Sequence, residues 1–270
     1  MKFKPHRPEN AIVRVSFVCE FADPLEDQGL LKLYGLHSQF AEKFPKPSIN
    51  HGHNIRIGGG IAQPQVVPGI VSVAFEEYGR SGELAQGFHA LPAMLSYINQ
   101  RYTRWEEVWS QAQPILVAAL SAVPDVRIQA FGLEYVDRFT APTAEGPLDV
   151  TGLLNQNSEF LVPRVFQIPG LWHSHHGSLQ DDGSLPCLHS KNDNINVDLV
   201  RESGAVEQFA VNMMLRHRRI LPQSIPAGES LDLLNNFMDE VHNADKMVIL
   251  DLLTDAAARE ISLGETHAPN

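Results

Sequence analysis

The segment "AIVRVSFVCEF", residues 11–21, constrains the fold more than any other stretch of the chain. Val13, Val15, Phe17, Cys19 and Phe21 fall on one side, and Arg14, Ser16 and Glu20 on the other. Period-two alternation of this kind is the mark of a strand with one face buried. Cys19 then points inward as a small core residue rather than a nucleophile. "GIVSVAFEEYG" repeats the pattern, and so does "VRIQAFGLEYVDRF". In the latter Phe131, Leu133, Tyr135 and Phe139 share one side, while Glu134, Val136 and Arg138 share the other. "EQFAVNMMLRHRR" and "INVDLVRE" read as further strands, the second continuing from the hairpin discussed below.

Helical spacing interrupts these strands. Leu30, Leu33, Tyr34, Phe40 and Phe44 form a stripe that Asp23 or Pro24 opens and Pro45 closes. Trp105, Val108, Trp109, Ala112, Leu116, Ala119 and Leu120 make a second. Thr103 and Glu106 are spaced as a capping box at its start, and Pro114 is expected to kink or interrupt it. A short helix is expected near Val150 to Leu161. Leu234, Phe237, Val241, Val248 and Leu252 mark a third stripe, and Thr254 caps a last piece that Gly264 stops. The order β-α-β-β-α-β, then α-β-β-β-α, is not a regular βαβ alternation. It predicts an α+β fold: a mixed, largely antiparallel sheet with helices on one face and two lobes. The lobes are residues 1–145 and 146–270, and one continuous domain is the other possibility.

Composition narrows the function classes. With 270 residues, 43% apolar and 20% charged, the chain reads as a globular protein with a substantial core. It has no apolar run of membrane-spanning length, and its first residues lack the apolar region of a signal peptide. Two cysteines, Cys19 and Cys187, provide no disulfide framework, so a cytoplasmic location is expected. The net charge of −11 is uneven. Residues 1–135 hold 12 Lys/Arg against 13 Asp/Glu, and residues 136–270 hold 9 against 19. The only basic run in the acidic half is "RHRR", Arg216 to Arg219. Nucleic acid is not an expected partner, whereas a protein with a basic surface is.

Chemistry concentrates in "LWHSHHGSLQDDGSLPCLHSKND", residues 171–193. His173 and His175 at i, i+2 share a face of a strand, as do Cys187 and His189. A three-residue turn at Asp181-Asp182-Gly183 sets His175 opposite His189 and gathers a His-His-Cys-His tetrad suited to zinc. A two-residue turn slips the register, sets His176 opposite His189 and splits the tetrad. Pro186 favours an edge strand or bulge. The bland reading is an exposed hairpin that happens to be rich in histidine.

Other templates find less. Gly58-Gly59-Gly60 lacks the Gly-Lys-Ser/Thr of a phosphate loop and reads as a turn, and His51 and His53 stand at a strand entry. There is no nucleophile elbow, no His-Glu-x-x-His, no Cys-x-x-Cys and no dinucleotide fingerprint. Glu76, Glu77, Glu134 and Asp137 are acids that could converge. A sheet-based triphosphate site needs Glu and Lys/Arg clustered at alternating positions, and no single strand has them.

"IVRVSFVCEFADPL", "INQRYTRWEEV", "FGLEYVDRF" and "DEVHNADKMVILDLLTDAAAREISLG" occur in that order. Together they resemble a sporadically distributed family of uncharacterised bacterial proteins of about this length. The resemblance covers about residues 10 to 264. It implies a cytoplasmic product of an accessory locus, such as phage defence or toxin neutralisation, and carries no catalytic residues with it. The histidine-rich stretch is not part of that pattern. Two functions follow as expectations. One is a non-enzymatic partner-binding component of antitoxin, immunity or defence type. The other is a metal-dependent hydrolase using His173, His175, Cys187 and His189 around zinc.

Overall fold

Burial follows the alternation read from the chain. Along β7 (Arg127–Pro142) the side chains of Phe131, Leu133, Tyr135, Phe139 and Ala141 are buried on one face, while Glu134, Val136 and Arg138 are half-exposed on the other. The same parity runs through β10 (Gln208–Pro226) on one side of it and through Val15, Phe17 and Cys19 of β2 (Ile12–Phe21) on the other, but a bulge between Ile12 and Arg14 sets Ile12, not the expected Val13, on the buried face. The computed structural model describes residues 1–56, 65–143, 148–181, 190–202 and 207–263. Its other strands are β1 (Lys4–Pro5), β3 (Lys46–Arg56), β4 (Gln65–Tyr78), β5 (Leu84–Leu91), β6 (Met94–Asn99), β8 (Trp172–Asp181) and β9 (Ser190–Glu202). The helices are α1 (Asp27–Gly35), α2 (His37–Phe40), α3 (Trp105–Ala122), α4 (Leu231–Leu252) and α5 (Asp255–Glu260).

All ten strands of the described residues belong to one sheet, in the order β3-β4-β5-β6-β2-β7-β10-β9-β8, with β1 also on β7. Every pairing is antiparallel. This overturns the expected α+β class with a mixed sheet and two lobes: the molecule is dominated by a single large antiparallel sheet. The reason lies in β7 and β10. Their pairing runs from Gln208↔Pro142 to Pro226↔Arg127, so the C-terminal strands extend the sheet instead of founding a second one. Three strands also lay hidden in the sequence: the two-residue β1, and β5 and β6. β5, "LAQGFHAL", is poor in β-branched residues, and β6 is a six-residue strand directly before a helix. Residues 150–161 form turns rather than the expected helix.

The helices differ from expectation in detail. α3 starts at Trp105 with Arg104 as N-cap and no side-chain cap bond, so the Thr103 capping box does not form. Pro114 lies inside α3 without ending it. Thr254 does cap α5, its hydroxyl accepting from the Ala257 N–H at 3.2 Å. Gly264 and the triple glycine 58–60 lie outside the described residues. Among the described residues no helix is long and apolar enough to cross a membrane.

The buried face of this one sheet carries two apolar clusters. The first joins β2, β4, β5, β6 and the first half of β7 to α1, α3 and the start of α4, through residues such as Phe17, Phe75, Phe131 and Phe237. The second joins β8, β9 and most of β10 to the end of α4 and α5, through Trp172, Val197, Met213 and Leu252. Three elements cross from one cluster to the other, and each changes character at the crossing. Between Tyr135 and Phe139 on β7 stands Asp137. Between Val241 and Ile249 on α4 stands Asp245, and between Leu215 and Leu221 on β10 stand His217 and Arg219.

Candidate functional site

These polar residues break the period of their own elements, and the fold brings them together in the seam. Asp137, His217, Arg219, His242 and Asp245 are all buried, Asp137 to 3% exposure and His217 to 1%. Burying this much charge is costly unless it is paired. Most of it is. His217 lies between two carboxylates, with Nδ1 3.0 Å from Asp193 and Nε2 3.1 Å from Asp245. Arg219 donates to Asp193 at 3.0 Å and faces Glu240 at 3.5 Å. Burial opposes a charge on His217, but its two carboxylate hydrogen bonds outweigh burial and lift its pKa to about 9. His217 is therefore an imidazolium donating from both nitrogens. Burial works against the Asp193 charge too, yet His217 and Arg219 hold its pKa below the usual carboxylate value.

Asp137 is the exception. It has neither a hydrogen-bond nor an ion-pair partner among the described residues, because its neighbours across the sheet on the same face are Ile12 and Met213. Burial, and then the nearby Asp245, push its pKa well above the ordinary carboxyl value. Burial raises Asp245 as well, opposed by His217 and Lys246. A bulge in the β2–β7 pairing between Ile12 and Arg14 loosens the sheet beside Asp137.

The unpartnered carboxyl lines a pocket of about 340 Å³. Asp137, Tyr135, His242 and Asp245 form its buried part with Tyr102 and Trp105, while Glu9, Arg104, Glu106 and Lys246 are exposed lining residues. Tyr135 Oη and His242 Nδ1 are 2.9 Å apart. The imidazole of His242 stacks on Trp105 with centroids 4.2 Å apart, and burial, then Lys246, take its pKa down to about 3. It stays neutral. Four acids and two basic residues line the pocket, and one of the acids, Asp245, is bonded to His217. Carboxyl oxygens without a partner among the described residues accept hydrogen bonds from a cation, and partial burial strengthens such bonds.

The residues singled out from sequence scatter differently. Glu76 lies 3.2 Å from His89, Glu77 binds Gln86 and Arg101, and Glu134 pairs with Arg14 at 2.6 Å. These three acids do not converge on Asp137. His51 and His53 lie on β3 at one end of the sheet. His173 and His175 lie on the edge strand β8, exposed, and engage Asp198 and Asn196 on β9. Neither tight-turn register is formed. Asp181 pairs with Ser190, so His175 stands opposite Asn196 and His176 opposite Ile195. Burial of Ile195, Val197 and Leu199 on the Trp172 side sets this register, not the turn. Cys187, His189 and Pro186 lie outside the described residues. No group of three or more metal-ligating side chains occurs among the described residues.

Sequence reasoning passed over His217, Arg219, His242 and Asp245. "RHRR" looked like a basic surface run, but alternation splits it. Arg216 and Arg218 point to the open face, where both bind Glu20, and His217 and Arg219 point into the core. The usable clue was a polar residue at a position where the period demands an apolar one, and it occurs on three elements. No protein-family model matches the chain, and no curated protein matches it.

Proposed function

We propose that this chain is a binding protein whose working site is the seam pocket, and that the site takes a compact, positively charged group. The observation that carries this reading is Asp137: a carboxyl 3% exposed, without a partner among the described residues, lining a pocket of about 340 Å³ beside a second buried carboxyl. A bare carboxyl in such a place lowers stability, and a bound cation would offset that loss. A pocket of this size suits a small organic cation or one basic side chain. The charge of the chain fits the same reading, since residues 136–270 hold 19 acidic against 9 basic residues. So does the expectation of a partner with a basic surface, and the resemblance to a sporadic bacterial family suggests an accessory locus as the setting. The hydrolase alternative, with zinc on His173, His175, Cys187 and His189, draws less support, because the two described histidines already engage neighbours on an exposed edge.

The test is thermal unfolding with n-butylammonium, n-butyltrimethylammonium or butyrate at matched ionic strength. A cation is expected to raise the midpoint while butyrate does not, and Asp137→Asn is expected to remove the shift. Equal shifts with butyrate, or none with either cation, would refute the reading.

A further inference from the structure

We infer that the group bound in the seam pocket is a primary ammonium, held by N–H donation to Asp137 and Asp245. The inference rests on the reading of this pocket as a cation site and adds how the cation is recognised. Proteins hold organic cations in two main ways: against the faces of aromatic rings, or by hydrogen bonds from N–H groups to carboxylates. At Trp105 the aromatic route is closed. Trp105, the best ring for it, stacks on His242 with centroids 4.2 Å apart and an interplanar angle of 7°. It also packs nearly parallel to Trp109 at 5.9 Å and against Phe17 at 5.7 Å. Its π surface is already committed to its neighbours.

The carboxylate route is open. Both oxygens of Asp137 lack a partner among the described residues. Asp245 uses Oδ1 for His217, and its other oxygen carries no bond among the described residues. With Asp137 ionised, its proton released as the cation enters, three acceptor oxygens in one recess match the three N–H donors of an ammonium. A quaternary ammonium would exclude water from the same oxygens and give them nothing in return, at the cost of unsatisfied buried acceptors. The ammonium could belong to a free alkylamine or to a lysine side chain of a protein, which share this chemistry.

Isothermal titration of the full-length protein separates the cases. The probes are n-butylammonium, n-butyltrimethylammonium and the amide of N-acetyl-lysine. The primary amine is expected to bind at least about tenfold more tightly than its quaternary counterpart, and Asp137→Asn is expected to erase that preference. Tighter binding of the lysine amide supports a protein-borne source, and tighter binding of butylammonium a free one. Should the quaternary cation bind as well as the primary amine, the donor argument is overturned while the pocket remains a cation site. Binding by none of the three overturns both readings. The wild-type comparison decides even if the variant does not fold.

Discussion

His217 is the residue whose charge most depends on its surroundings. An imidazole buried to 1% exposure would ordinarily lose its proton, yet carboxylates on both nitrogens hold its pKa near 9, against 6.5 in an unfolded chain. A raised pKa means that its contribution to stability is complete below pH 6.5 and is lost as the pH rises through 9. The shift corresponds to about 3 kcal/mol. Comparison of urea denaturation of the wild type and His217→Gln across this range therefore has a definite expected outcome. The stability difference between them should shrink by about 3 kcal/mol from pH 6.5 to pH 9. A difference that does not change with pH would show that His217 is neutral in the fold.

At the scale of the element, the seam consists of interruptions in otherwise regular patterns. From Leu133 on, β7 alternates buried and half-exposed residues, with Asp137 the one polar residue in the buried row, and the buried stripe of α4 runs through Leu234, Met238, Val241, Ile249 and Leu252 with Asp245 in the middle. Repairing the pattern should stabilise the protein and remove its site. Asp137→Leu is expected to raise unfolding stability by about 1–2 kcal/mol, measured in urea, while abolishing the butylammonium shift. A variant that is destabilised would mean that the carboxyl has a structural partner. The elements themselves were largely legible: β2, β4, β7, α3 and α4 follow from their periods. β5 and β6 were not, because Gln86, Gly87 and His89 do not read as strand formers. They are strands because β4 and β6 flank β5 and β2 flanks β6, which satisfies their backbone hydrogen bonds. The histidine hairpin was legible as a hairpin but not in register. The deciding contacts are Trp172 with Leu199 and Ser174 with Val197, far from the turn.

At the scale of the whole molecule, two apolar clusters share one sheet, and β7, β10 and α4 contribute to both. Shared strands and a shared helix couple the clusters, so the two are expected to unfold together. Phe17→Ala in the first cluster and Trp172→Ala in the second are each expected to cost about 3–5 kcal/mol and to shift a single unfolding transition. Two separate transitions in calorimetry would restore the picture of two lobes.

What the sequence determined by itself is the strongly periodic elements, β2, β4, β7, α3 and α4, because side-chain period and backbone geometry are local properties. It also determined the acidic balance, and it displayed each polar interruption one element at a time. Only the tertiary structure decided that those interruptions meet. Asp137, His217 and Asp245 are separated by 80 and 28 positions along the chain. What brings them together is the antiparallel pairing of β7 with β10 and the laying of α4 across both. Convergence of this kind depends on long-range register and packing, which no local period encodes.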